Sequence, residues 1–148
     1  MRDFYMIVSS TDSIEYFDKN HVGNFRIKVE KTIHLQHGEW YVGLCEIHGT
    51  LWDVEVNDTV YVLSNLSNGI LVPSNKEGVL RGVNIRSRTY IYYEYKHRIY
   101  IPVQTHFIDM IEFSLKVNGF DTQLTSRTSK KTSLKPRTWC VLHFKRKV

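Results

Sequence analysis

The chain has 148 residues, of which 42% are hydrophobic, 13% aromatic and 24% charged. That length suits one domain, able to bury roughly 70% of the surface its unfolded chain exposes, so the fold needs no disulfide staple and disorder is excluded. No run approaches the roughly 18 uninterrupted apolar residues of a membrane-spanning helix. The net charge of +5 is uneven, because residues 122–148 hold eight basic side chains and no acidic one while the other 121 residues hold 12 basic and 15 acidic. The opening Met1-Arg2-Asp3-Phe4-Tyr5 has no apolar h-region and no small-residue cleavage site, so the chain is expected to be made and kept inside a cell.

In chain order, the signals are those of strands: short runs rich in Val, Ile, Tyr and Phe, punctuated by Gly, Asn, Asp, Ser and Pro. Phe4 to Ser9 is the first. In Asn24 to Glu30, Phe25, Ile27 and Val29 alternate with Arg26, Lys28 and Glu30, giving one buried and one wet face. Trp40 to Ile47 is apolar at both parities, with Trp40, Val42 and Leu44 on one side and Tyr41, Gly43, Cys45 and Ile47 on the other. Such a strand is central, or one of its faces meets a partner. Thr59 to Ser64 and Gly78 to Ile85 follow. Arg88 to Tyr95 crowds Tyr90, Tyr92, Tyr93 and Tyr95 into six residues, a pattern of tyrosines packed inside the fold or set at an interface. The polar Tyr95-Lys96-His97-Arg98 breaks this run from Arg98 to Val103.

Thr105 to Ser114 also has a helical reading. The alternation of Ile111, Phe113, Leu115 and Val117 with Glu112, Ser114 and Lys116 decides for a strand over Phe107 to Val117. Asn118-Gly119 between apolar flanks predicts a two-residue type I′ turn. Leu124 to Lys135 reads as a long exposed loop before a last strand over Arg137 to Phe144. Nine strands in one domain predict an all-β fold, an antiparallel β-sandwich over residues 1–148 with an exposed basic loop at 122–137.

Chemistry is sparse. Cys45 and Cys140 lie in apolar runs and read as reduced core residues. His34 and His37 are the only close histidine pair, with no Cys or carboxylate at ligand spacing beside them, so no metal is expected. His143, between Leu142 and Phe144, reads as a core or interface histidine. No serine or cysteine sits on a Gly-flanked elbow, and no phosphate loop or dinucleotide fingerprint is present, so neither a catalytic residue nor a cofactor is expected. The two sequons, at Asn57 and Asn65, matter only for a secreted chain. The basic stretch is the exception. Arg127, Lys130, Lys131, Lys135, Arg137, Lys145, Arg146 and Lys147 suit the phosphates of a nucleic acid, an acidic protein partner, or solvent alone.

Several segments together resemble one family. They are Phe4-Tyr5-Met6-Ile7-Val8-Ser9-Ser10, Ser13-Ile14-Glu15-Tyr16-Phe17-Asp18-Lys19-Asn20, Asn24-Phe25-Arg26-Ile27-Lys28-Val29 and Gly38-Glu39-Trp40-Tyr41-Val42-Gly43-Leu44-Cys45-Glu46-Ile47. With Ile108 to Leu115 before Asn118-Gly119, and the closing Val141-Leu142-His143-Phe144-Lys145-Arg146, they are similar to the minor capsid proteins of Maverick/Polinton elements and the related adintoviruses. The Trp-x-Val-Gly-Leu-x-Glu-Ile strand is the most specific part, and Leu51 to Arg86 carries no matching motif. The resemblance implies a penton-type virion protein: a single jelly roll, assembled as a homopentamer at icosahedral vertices among major capsid proteins with double jelly rolls. It implies assembly in the nucleus of a host cell, with packaged DNA as a further contact. Under that reading Trp40, Tyr41, Trp52, Tyr90, Tyr92, Tyr93 and Tyr95 are the subunit-interface candidates. Two other functions compete with it: a nucleic-acid-binding β-domain using the basic segment, and a carbohydrate- or receptor-binding sandwich.

Overall fold

The computed structural model describes residues 3–67, 78–88, 90–127 and 135–147. These residues form nine strands: β1 (Phe4–Ser9), β2 (Asn24–His34), β3 (Trp40–Thr50), β4 (Thr59–Ser64), β5 (Gly78–Asn84), β6 (Ile91–Glu94), β7 (Tyr100–Pro102), β8 (Phe107–Val117) and β9 (Arg137–Arg146). Each overlaps one of the expected runs, with β2, β3 and β9 continuing past Glu30, Ile47 and Phe144, and no helix occurs among the described residues. They form two antiparallel sheets, one ordered β1-β9-β3-β6 with β7 also beside β3, the other β2-β8-β4-β5. The fold is an all-β sandwich.

The pairing has a simple logic. β1 pairs with β9, β2 with β8, β3 with both β6 and β7, and β4 with β5, so the first half of the chain folds back along the second. β6 pairs with Glu46 to Gly49 and β7 with Tyr41 to Gly43, which makes them two parts of one interrupted strand along β3. The nine strands therefore fill eight positions, four in each sheet.

Between the sheets lies one core. Trp40, Val42, Leu44 and Ile47 of β3, Leu142 and Phe144 of β9, Phe25 of β2 and Ile111, Phe113 and Leu115 of β8 belong to a single buried cluster. Each such side chain contributes about 1.5–3 kcal/mol on leaving water. Phe25 lies opposite Phe113 in the register, and their rings stack at 5.1 Å.

Four expectations need correction. The alternation along β3 does not run straight through, because Leu44 pairs with Leu142 and Glu46 with Val141, leaving Cys45 as the extra residue of a β-bulge. The bulge turns Ile47 into the core and sends Glu46 and His48 outward, where an unbroken alternation put Ile47 beside Tyr41. Asn118 and Gly119 do not form a two-residue type I′ turn: Gly119 has φ of 152°, and Val117 N–H bonds to Thr122 O at 2.8 Å, closing a wider loop. Asn118 serves β4 instead, its Oδ1 accepting Thr59 N–H at 2.8 Å.

Nor is the stretch after it all exposed loop. Leu124 is fully buried in the core cluster, its N–H bonded to Leu115 O at 2.9 Å, because β8 continues into a bridge between Lys116 and Gln123. The fourth correction concerns Trp40 and Trp52, which are 3% and 0% exposed and offer no surface to another subunit. Trp52 sits above Gly49 of β3, where any β-carbon would lie 2.4 Å from its ring. Cys45 and Cys140 are free and buried, as expected, and burial pushes the Cys140 thiol up to about 12.

Candidate functional site

The two sheets present different outward faces. On the β2-β8 side, Arg26 lies opposite Glu112 in the register and the two form an ion pair at 3.1 Å, the ordinary polar dress of a solvated sheet. The β1-β9-β3 side is aromatic. Since Cys140, Leu142 and Phe144 of β9 point inward, Trp139, Val141, His143 and Lys145 point outward. Register then sets their neighbours. Trp139 lies between Ser9 and His48, Val141 between Ile7 and Glu46, His143 between Tyr5 and Gly43, and Lys145 beside Tyr41. Beyond β3, Tyr92 faces His48, Glu94 faces Glu46 and Tyr100 faces Gly43.

One half of this face sets apolar and aromatic side chains around two carboxylates, Glu46 and Glu94. Ile7 is 67% exposed beside half-buried Val141, and the His48 ring stacks on Trp139 at 3.6 Å with Tyr92 tilted against its edge at 4.4 Å. Tyr90, also 67% exposed, extends the row at 6.3 Å from Tyr92. Glu46 and Glu94 oppose each other directly, a destabilising arrangement for like charges. The Tyr92 hydroxyl lies between them, its single proton shared between Glu46 at 3.4 Å and Glu94 at 3.1 Å, and the hydrogen bond to Glu94 raises the phenol pKa. Burial against Trp139 and Tyr92 lowers the His48 pKa, with Glu46 at 3.6 Å acting in the opposite sense.

The other half interleaves rings and cations. Tyr5 stacks on His143 at 4.4 Å, and the Tyr100 hydroxyl meets His143 Nδ1 at 2.7 Å. Lys145 Nζ sits 3.7 Å from the centre of the Tyr100 ring. Arg98 comes from outside the register. It precedes β7, and because Gly43 has no side chain, Ile99 and Tyr100 lie flat over β3 with only 3.0–3.1 Å left for a β-carbon. Arg98 thereby crosses the face to donate to the Tyr5 hydroxyl at 3.0 Å. An open cavity of about 540 Å³ ends this half, lined by Asp3, Tyr41, Tyr100, Lys145, Arg146 and Lys147.

The predicted residues are thus divided. Tyr41, Tyr90 and Tyr92 lie on the outward face, while Tyr93 and Tyr95 pack against the core, Tyr93 Oη accepting Arg86 N–H at 2.8 Å and Arg81 lying 3.7 Å over the Tyr95 ring. The eight cations do not form one patch. Arg127 bonds to the carbonyls of Trp52 and Arg88. Lys135 is exposed and Arg137 donates to Ser9 Oγ at 2.9 Å at one end of β9, while Lys145, Arg146 and Lys147 stand at the other, roughly 30 Å away along the strand. Lys130 and Lys131 lie outside the described residues. Tyr5, Ile7, Arg98, Tyr100 and Trp139 were not among the predicted site residues. A signal existed for β1, which is apolar at every position from Phe4 to Val8 and so must leave one apolar row outside. Among the described residues, no group of three His, Cys, Asp or Glu side chains converges to hold a metal ion. The chain matches no protein-family model, no curated protein and no solved structure.

Proposed function

We propose that the chain is a structural assembly subunit, a single jelly-roll minor capsid protein of the penton type, and not an enzyme. The observation that carries the reading is the pairing of first half against second, strand for strand, into two sheets of four positions. A long hairpin rolled into two such sheets is the jelly-roll path, with β6 and β7 together filling one position. The sequence resemblance to the Maverick/Polinton and adintovirus minor capsid proteins agrees with that path, and the outward Ile7, Val141, Tyr90 and Tyr92 give one sheet apolar and aromatic surface for a neighbouring subunit to cover. In this reading five copies form a ring at a virion vertex, within a shell of double-jelly-roll subunits. Each copy then buries different surfaces against its two neighbours, since a cyclic ring has heterologous contacts.

Ile7 tests the role of the apolar and aromatic surface, because its side chain points away from the core and a charge there leaves the fold alone. In sedimentation velocity the wild-type chain is expected to associate as its concentration rises, and the Ile7→Glu variant to remain monomeric with unchanged circular dichroism. Equal association of both would remove this face from the assembly. A wild-type chain that stays monomeric and also ignores a co-expressed major capsid protein would end the reading.

A further inference from the structure

We infer that the Lys147 end of the outward β1-β9-β3 face binds single-stranded nucleic acid, taking a base against Tyr41 and its flanking phosphates on Arg98, Lys145 and Lys147. The inference does not rest on the assembly reading.

Charge is the first argument. Around the cavity of about 540 Å³, Arg98, Lys145, Arg146 and Lys147 outnumber the carboxylates of Asp3 and Glu39. Both acids are engaged: Glu39 pairs with Lys147 at 3.3 Å, and Asp3 accepts the Arg146 N–H at 3.2 Å and lies 3.8 Å from His143. Another open cavity, about 580 Å³ between residues 12–16 and β2, has the opposite character, with Asp12, Glu15 and Glu30 against Lys28, and would repel a phosphate. The cationic site is local, not a general property of the surface.

Geometry is the second. A partner recognised by charge alone, such as an acidic peptide, needs no rings, yet here tyrosines alternate with the cations. Tyr5, 58% exposed, carries Arg98 at 5.5 Å from its ring centre, and Tyr100 carries Lys145 at 3.7 Å. Tyrosine faces beside mobile cations are how single strands are held without sequence preference, bases stacking while the backbone follows the positive charges. A duplex keeps its bases inside its own stack and cannot use the rings. The sheet also supplies rigidity, since Gly43 lets the segment carrying Arg98 lie flat across it and the Tyr100 hydroxyl is fixed by His143.

The test is fluorescence anisotropy with a labelled oligothymidine, the full-length chain and a series of salt concentrations. The wild type is expected to bind with affinity falling steeply in salt. Lys145→Gln with Lys147→Gln is expected to weaken binding and to reduce the slope of log affinity against log salt by about 1.4, at about 0.7 per lost phosphate contact. Tyr41→Ala is expected to weaken binding roughly tenfold. Asp3→Asn, which removes a negative charge from the cavity, is expected to tighten it, an effect that misfolding cannot mimic. Four results would overturn the inference: no binding by the wild type, equal affinity for a duplex or for polyglutamate, no effect of Tyr41→Ala, or loss of binding only when Lys130, Lys131 and Lys135 are replaced. Association of the chain is read separately by sedimentation, so loss of oligonucleotide binding with association intact would count against this site alone.

Discussion

Trp52 joins three parts of the chain that are distant in sequence. Its Nε1–H donates to Thr138 Oγ1 at 2.8 Å, and that hydroxyl donates to Val22 O at 2.7 Å, all in a fully buried setting. Thr138→Val keeps the shape and leaves the indole N–H and the Val22 carbonyl unpaired, so it is expected to cost about 2–4 kcal/mol. Thr138→Ser keeps the hydroxyl and is expected to cost about 1 kcal/mol for the lost methyl. Urea unfolding midpoints compare the two, and equal losses would deny the hydrogen-bonded relay. A pH dependence also belongs at this scale. Burial holds the pKa values of both His48 and His143 below their ordinary value of about 6.5, so each binds its proton more readily in the unfolded chain. Their contribution is present above the unfolded pKa and is lost as the pH falls through the lower folded values. The urea midpoint is expected to fall as the pH drops below about 6.5, and less so in the His48→Gln/His143→Gln variant, whereas parallel pH profiles would contradict the assignment.

At the scale of elements, β3 is the strand on which most depends, and its bulge has a definite consequence. Cys45 is the extra residue opposite β9, and its carbonyl accepts the Tyr95 N–H at 2.8 Å where β6 gives way to the excursion before β7. Deleting Cys45 brings Leu44 and Glu46 into an unbroken ladder with Leu142 and Val141, with every inward side chain still inward. The deletion is therefore expected to leave a cooperatively folding protein, about 1–3 kcal/mol less stable for the lost buried side chain and hydrogen bond. Deleting Ile47 has no such slack, since it moves His48 and Thr50 toward the core, and is expected to abolish cooperative unfolding by circular dichroism. Equal effects of the two deletions would contradict the register.

The bulge also marks the limit of what could be read from the amino acids. Where one parity is charged, as in Arg26, Lys28 and Glu30 of β2, alternation alone named the buried side chains. In β3 and β6 both parities are apolar or aromatic, so nothing local distinguishes inside from outside, and register with β9 decides. Trp40 and Trp52 suit an interface as well as a core, because large aromatics fit both places. Tyr93 and Tyr95 went inside, and Tyr90 and Tyr92 outside, for the same reason. Arg98 was illegible in a different way, since only the close packing over Gly43 brings it to Tyr5.

Over the whole molecule, the pairs β1 with β9, β2 with β8, β3 with β6 and β7, and β4 with β5 nest one inside the next. This nesting places Lys135 and Arg137 at one end of β9 and Lys145, Arg146 and Lys147 at the other, so one basic region of the sequence becomes separate sites. It also gives the β1-β9-β3 face two unlike halves, one with apolar and aromatic side chains around Glu46 and Glu94, the other cationic and aromatic. A sheet face of that kind is what an assembly subunit needs and what a solitary domain leaves uncovered at a cost in solubility. The most direct measurement is therefore the native mass spectrum of the purified chain. The expected result is a closed species at five times the 17.5 kDa monomer. A monomer that persists as the concentration is raised, with or without the major capsid protein present, would contradict it.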